Sequence, residues 1–382
     1  MKNYFQYKQA IADKLKCKSD QVFLYWKGRV ALYAILKAMG IKEGDEVIIP
    51  GFTCVVVPNA IFYLGAKPVY VDINIENYNM DSQKIKDAVT QKTKAILCQN
   101  TFGLSSNIEQ IIQIAEERKL FTIEDCTHGF SGYYNGKPNG SYCDAAFYSS
   151  QWNKPFSTGI GGFLVVKNEL LIDKVRLLEY EKLRPTLWAE LLLYLLLIFR
   201  KYFINNYTYK SLVGLFRLLS KKNLIIGSSQ GDELSGIKMP EKYFTGITKT
   251  QIRAGIKELK KLEYINTLRK ENAEAYTRFL KSKGKTFVAE KHFGNHLFLK
   301  YPLLVKERER FVQLAEKNKI TLGDWFLSPL HPIKGNLKIW DFDEKKYPNA
   351  VEISKKIVNL PTDINYNKRV LNFLNLYIDM VE

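Results

Sequence analysis

The chain has 382 residues, 46% of them hydrophobic and 25% charged, with a formal net charge of +18 at pH 7. Those proportions are ordinary for a globular protein, and the length allows one large core plus a smaller domain. The charge suits an anionic partner such as a nucleotide diphosphate or a membrane surface, but the lysines run along the whole chain without a nucleic-acid motif, which argues against nucleic acid. Cys17, Cys54, Cys98, Cys126 and Cys143 lie far apart with no CxxC pair, so neither a disulfide framework nor a thiolate metal site is expected. His292 and His296 are the one close histidine pair and have no cysteine near them, so no metal is expected there. The first residues lack a continuous apolar stretch and a cleavage site, which points to a cytoplasmic address.

In chain order, residues 4–16 read as a short amphipathic helix. The run Tyr25-Trp26-Lys27-Gly28-Arg29-Val30-Ala31-Leu32 then turns into a helix with apolar positions spaced near i, i+3 and i+4 through Met39. Gly28 at that junction lets backbone N–H groups face an anion at the helix start. Gly44 to Pro50 is a turn feeding a buried strand, followed by Gly51-Phe52-Thr53-Cys54 and a helix to Leu64. Gly65 to Asp72 is a further turn and strand, residues 82–90 a helix, and Lys94 to Asn100 a strand ending at Gln99-Asn100-Thr101-Phe102-Gly103. Helix 107–118 and strand 120–124 lead to Asp125. Strands alternating with helices through short turns predict an α/β domain with a mostly parallel sheet, whose site opens at the carboxyl ends of the strands.

Residues 122–166 carry the densest chemistry. An apolar stretch meets Glu124 and Asp125, then His128 and Gly129; a second apolar run, Ala145 to Tyr148, meets Ser149 and Ser150, and Lys154 precedes Gly159, Gly161 and Gly162. A carboxylate at one strand end and a lysine just past another, with hydroxyls beside it, are what a pyridoxal phosphate site requires. The amine forms a Schiff base, the acid holds the pyridinium nitrogen and hydroxyls bind the phosphate.

Beyond Lys167 the most individual feature is an insertion at about 184–238. Residues 187–199 hold a single acid in an apolar and aromatic run followed by Arg200 and Lys201, and Tyr209 to Lys222 reads as a basic amphipathic helix. The first run is too short to span a bilayer. Either it lies in a membrane interface or the pair forms a helical hairpin buried against the enzyme or its dimer mate. A long helix is expected from Thr248 to about Ser282, with Ile252, Ile256, Leu259 and Leu262 on its apolar face. The segments Phe287–Leu304, Lys306–Asn318, Ile320–Trp325 and Ala350–Ile378 then alternate strands and helices. The expected division is a large domain over 1–250 and a bridging helix with a small C-terminal domain over 251–382.

Several of these segments together resemble the DegT/DnrJ/EryC1/StrS family of sugar aminotransferases. Glu124-Asp125-Cys126-Thr127-His128-Gly129 is similar to the family's E-D-A-A-[QH]-A, and Tyr148 to Lys154 to its F-S-F-x-x-x-K. Residues 44–54 and 65–72 resemble G-D-E-V-I-V-P-[ST]-[FY]-T-F and G-A-x-P-V-F-V-D. The resemblance implies PLP fold type I, with a seven-stranded-type sheet and a small α+β C-terminal domain. It implies Lys154, Asp125 and His128 as catalytic residues, and Gly28, Arg29, Cys54, Asp125, His128, Ser149 and Lys154 as holding pyridoxal 5'-phosphate. It further implies an amino-acid donor (glutamate or glutamine), a nucleotide- or lipid-linked keto-sugar acceptor, and a homodimer. Departures are marked: Arg29 replaces a small hydroxyl residue, Cys54 an aromatic, and Ile160 the glutamate of G-E-G-G. The asparagine of the loop that reaches a neighbouring subunit's cofactor phosphate is absent from Gly236 to Gly246. Ser328-Pro329-Leu330-His331 lies near the family's P-L-H, making His331 a candidate for the sugar pocket or for a structural hydrogen bond. Related dehydratases carry histidine in place of the lysine, so Lys154 favours transamination; a dehydratase, or a PLP-fold sensor or membrane-associated partner without turnover, is the alternative. Contact with the inner face of the membrane is expected through 187–222.

Overall fold

The computed structural model describes residues 1–203, 208, 212, 214–216, 218–219, 225, 227 and 231–382. Most of the second expected helix of the insertion, Tyr209 to Lys222, therefore lies outside the described residues.

Seven strands form the central sheet, in the spatial order Val22–Tyr25, Gly162–Val166, Ala145–Ser149, Phe121–Asp125, Thr93–Gln99, Glu46–Pro50 and Lys67–Val71. The strand Gly162–Val166 runs antiparallel to both its neighbours, and the remaining pairs are parallel. The strands are almost continuously apolar because helices cover both faces of the sheet. Helix Gly28–Ala38 is buried at every position but Lys37 and forms the centre of one layer; Ile108, Ile111 and Ile114 of helix Ile108–Arg118 face the other. Register pairs Gln99 with Asp125 and Asp125 with Phe147, so the carboxyl ends of three adjacent parallel strands finish level with one another.

A second core gathers around the antiparallel pair Tyr301–Leu304 and Ile357–Leu360. Helices Arg308–Lys317 and Asn367–Leu376 and the far half of helix Leu262–Ser282 pack against it. The long helix expected from Thr248 to Ser282 is two helices, Lys249–Leu259 and Leu262–Ser282. The break serves two different cores. The first helix packs on helix Lys2–Leu15, where a Cβ on Gly255 would stand 2.4 Å from the Tyr7 ring; the second carries Tyr276 and Leu280 into the C-terminal core. Residues 320–325 form no strand; they are tied in by the isolated bridge Gly323 to Asn359. The C-terminal unit also reaches back, since Leu330–His331 pairs in parallel with Thr53–Cys54.

The apolar run of the insertion forms helix Leu187–Phe203. Its inner face lies against the loop after Ser149, where a Cβ on Gly159 would meet Leu193 at 2.9 Å and Leu197 at 3.4 Å. Arg200 donates to the Trp152 carbonyl at 3.2 Å and lies 4.8 Å from that indole's centroid. Its single acid, Glu190, accepts from the Thr250 N–H (2.9 Å) and hydroxyl (3.2 Å) at the start of helix Lys249–Leu259. The opposite face leaves Leu191, Tyr194, Leu195, Phe199, Tyr202 and Phe203 exposed. No helix among the described residues is long and apolar enough to cross a membrane.

Candidate active site

The site grows from the alternation of side chains along strand Phe121–Asp125. Glu124 points to one face, where it accepts from Asn100 Nδ2 (2.9 Å) and the Gly140 N–H (2.6 Å). Asp125 points to the other face and accepts from the Thr127 N–H at 2.9 Å. On the neighbouring strand Gln99 accepts from the Thr53 hydroxyl at 2.6 Å and donates to the Phe52 carbonyl at 3.1 Å. It thereby fixes the turn that follows Glu46–Pro50.

Lys154 is carried by a loop closed at its base. The Ser150 N–H donates to Gly161 (2.9 Å), the Thr158 N–H to Ser150 (2.8 Å), and the Ser150 and Thr158 hydroxyls lie 2.8 Å apart. A Cβ on Gly161 would stand 2.2 Å from both hydroxyls, so the closure requires glycine at that point. Ile160, in the place of the family's glutamate, buries its side chain in the main core while its carbonyl accepts from Gln251 and Thr158. Arg269 anchors the outer limb by donating to the Pro155 carbonyl at 3.1 Å.

The loop holds the Lys154 amine 4.4 Å from the centroid of the Trp325 ring. Burial lowers its pKa to about 8; Asp125 and Cys54 oppose the shift, while Arg29 and Lys300 add to it. Burial raises the Asp125 carboxyl, against hydrogen bonds from Thr127 and the charge of Lys154. Burial also raises the Cys54 thiol, opposed first by Arg29 and further by Lys154. Lys154 and Cys54 thus each respond to the charges of the other, of Asp125 and of Arg29.

His128 is buried, its Nδ1 accepts from the Phe102 N–H at 3.2 Å, and its ring stacks on Trp325 at 4.4 Å and 5°. Burial, then Lys154 and Lys300, push its pKa well below the ordinary value. The ring is therefore neutral, and an acceptor Nδ1 leaves the proton on Nε2.

The start of helix Gly28–Ala38 adjoins Ser149, and a Cβ on Gly28 would stand 2.8 Å from the Tyr148 carbonyl oxygen. Ser149 Oγ accepts from the Gln151 N–H at 3.4 Å. Arg29 turns its guanidinium to Glu233, 2.7 Å away, and Lys27 lies 4.0 Å from the same carboxylate. The end of the insertion thus supplies the counter-charge for the residue that replaces a hydroxyl. Phe52 is fully buried, edge-on to Phe326 at 4.9 Å. His331 accepts from the Leu327 N–H at 3.2 Å and lies opposite Cys54 in the parallel bridge. Trp325, Lys300 and Glu233 escaped the sequence reading, because nothing local to 300, 325 or 233 marks them as facing residues 125–154.

The DegT/DnrJ/EryC1/StrS aminotransferase family model matches residues 6–192 and 243–370, leaving out most of the insertion. GDP-perosamine synthase of Escherichia coli O157:H7 is 43% identical over 147 residues, 38% of this chain and 40% of that protein. Spore coat polysaccharide biosynthesis protein SpsC of Bacillus subtilis is 29% identical over 338 residues, 87% of this chain and 77% of that protein. A putative sugar aminotransferase of Streptococcus pneumoniae in its apo form shares the fold, with a TM-score of 0.76 at 18% identity over 99% of this chain and 90% of that one. The chain belongs to the DegT/DnrJ/EryC1/StrS aminotransferase family, whose members depend on pyridoxal phosphate.

Proposed function

We propose that this protein transfers an amino group from an amino acid, glutamate or glutamine, to a keto-sugar carried on a nucleotide or a lipid. The observation that carries the reading is the closed loop that holds the Lys154 amine 4.4 Å from the Trp325 ring on which His128 stacks, where burial lowers its pKa to about 8 and the Asp125 charge opposes the shift. The residues present fit the cofactor. Asp125, acceptor-only when ionised and buried, suits a protonated ring nitrogen. The start of helix Gly28–Ala38, where Gly28 permits close approach, and the Ser149 hydroxyl suit a phosphate. Arg29 would meet that phosphate while held by Glu233, and Cys54 would border the ring. Pyridoxal phosphate would supply the electron sink that stabilises negative charge at a substrate carbon. Lys154 Nζ would then move the proton at that carbon, and the Nε2–H of His128 is the donor available to a phenolic oxygen.

A nucleotide-linked acceptor agrees with the +18 charge and with GDP-perosamine synthase among the relatives. The lysine speaks against the dehydratase alternative. We place the protein as a homodimer at the cytoplasmic face of the membrane, with the exposed side of helix Leu187–Phe203 toward the lipid. The supports are its apolar and aromatic residues and the adjoining Arg200 and Lys201.

The test is an absorption spectrum of the protein with pyridoxal phosphate, followed by L-glutamate. The expected result is a visible band that glutamate removes, absent from Lys154→Ala. A band that no amino acid alters would support the sensor alternative, and no band at all in the native protein would sink the cofactor assignment.

A further inference from the structure

Lys300 stands beside the site without a role in the reading above. It follows directly on Leu299 at the seam between the two cores, where its N–H donates to the Phe102 carbonyl at 3.3 Å and the Leu299 carbonyl accepts from the Thr362 hydroxyl at 3.1 Å. The backbone just before strand Tyr301–Leu304 is therefore held at both of these residues. Its ammonium lies 5.8 Å from the centroid of the Trp325 ring, the ring over which Lys154 Nζ lies at 4.4 Å. One small molecule can reach both amines across that indole, which is itself backed by His128.

The charge balance around Lys300 is open. Among the described residues no carboxylate comes within 4.0 Å of its ammonium. Burial lowers its pKa, opposed by Asp363 and more weakly by Asp324, and reinforced by Arg269. Burial alone would raise the Asp363 carboxyl, but Lys300 and Arg269 together hold it below its ordinary value. Lys300, Arg269 and Arg200 thus all bear on Asp363, and Arg308 shares Asp324 with Lys300, while Arg269 spends hydrogen bonds on Asn266 Oδ1 and the Pro155 carbonyl. An ammonium partly withdrawn from water, with no direct counter-ion, gains by meeting an anion.

We propose that Lys300 binds a carboxylate of the amino-acid donor, with the Trp325 indole as the apolar floor beneath the donor's carbon chain. This assignment rests on the aminotransferase reading. A donor must bring its amine to the reacting position held by Lys154 while its carboxylate lies a short reach away, and a second cation over the same ring meets that need. One monocation beside an aromatic face suits a single carboxylate better than a diphosphate, which calls for several donors.

The experiment titrates the pyridoxal-phosphate-loaded protein with glutarate, a dicarboxylate that lacks the reacting amine, and separately with UDP-glucose, which has no carboxylate. Native protein is compared with Lys300→Met, Lys300→Gln and Lys300→Arg by calorimetry, and cofactor affinity is measured for each by the visible band. Both neutral variants are expected to weaken glutarate by about tenfold or more, the loss of a charge-assisted hydrogen bond. Lys300→Arg should restore most of it, and UDP-glucose and cofactor affinity should stay as in the native protein. Glutarate binding that is unchanged in a folded neutral variant overturns the proposal, as does a loss of UDP-glucose binding as large as that of glutarate, which would assign Lys300 to the acceptor. A native protein that takes up no pyridoxal phosphate overturns the underlying reading and this inference with it.

Discussion

At the scale of single residues, the site works by withholding water from charge. Lys154, Asp125 and His128 each have a pKa moved by burial first; Asp125 comes next for Lys154, Lys154 for His128, and the Thr127 hydrogen bonds for Asp125. The sign for Lys154 is downward, so its neutral, nucleophilic form becomes abundant as pH rises through about 8. At pH 7 such an amine is about one-tenth neutral, against well under about one part in a thousand for an ordinary lysine. The rate at which the apoprotein captures pyridoxal phosphate should therefore climb between pH 6.5 and 8 and level off by about pH 9. A rate still climbing tenfold per unit at pH 9.5 would show that Lys154 titrates like a solvated lysine. The Arg29–Glu233 pair follows the same logic in its structural form. A guanidinium buried at a helix start needs a carboxylate, and removing one member of such a pair typically costs about 3 kcal/mol or more.

Among the elements, helix Leu187–Phe203 is the one whose sequence invites two incompatible readings. Glu190 shows how both its faces are used. The lone acid of an apolar run is turned inward, onto the first-turn N–H of Thr250, where the partial positive charge of helix Lys249–Leu259 favours a carboxylate. Replacing Glu190 with alanine should destabilise the protein by about 1 kcal/mol, and Glu190→Gln, which keeps an acceptor but no charge, by less. Thermal denaturation of the two variants checks this. Equal and negligible shifts would mean that the contact is incidental. The same helix closes over the Lys154 loop through Leu193 and Leu197, and Gln251, from the helix that Glu190 caps, takes the Ile160 carbonyl. The insertion therefore braces the loop that carries Lys154.

For the whole molecule, a large and a small core meet at a seam lined by residues 99–103, 125–128, 296–300 and 325–331. Charge and apolar surface are unevenly spread. In sequence, the insertion holds the cations Arg184, Arg200, Lys201, Lys210, Arg217, Lys221, Lys222 and Lys238 against the three acids Glu190, Asp232 and Glu233. Of those acids, Glu190 and Glu233 have the internal partners already described. A basic segment that follows an exposed apolar helix face in the sequence should bind vesicles of mixed phosphatidylcholine and phosphatidylserine, bind pure phosphatidylcholine poorly, and be released by high salt. Leu191→Glu with Phe199→Glu, both on the exposed face, should abolish co-sedimentation while leaving the fold intact. If the native protein ignores both vesicle types and the double variant instead alters the sedimentation coefficient, the face belongs to a protein contact.

The sequence by itself determined the parts that depend on local periodicity and short-range turn chemistry. Apolar strands ending within one residue of Gln99, Asp125 and Ser149, glycines where the Lys154 loop closes, and the glycine starting helix Gly28–Ala38 were all legible, because each is set by residues within a few positions of one another. The single helix expected from Thr248 to Ser282 was not, since an apolar stripe continues across the break and only the separate location of the two cores divides it. The tertiary structure alone decided the charge partners. Glu233 meets Arg29 across some two hundred residues, and Lys300 and Trp325 arrive at Lys154 from the other core. It also decided that Phe52 packs among Phe102 and Phe326. Burial and long-range electrostatics depend on which surfaces meet in space, and no local pattern in the chain encodes that meeting.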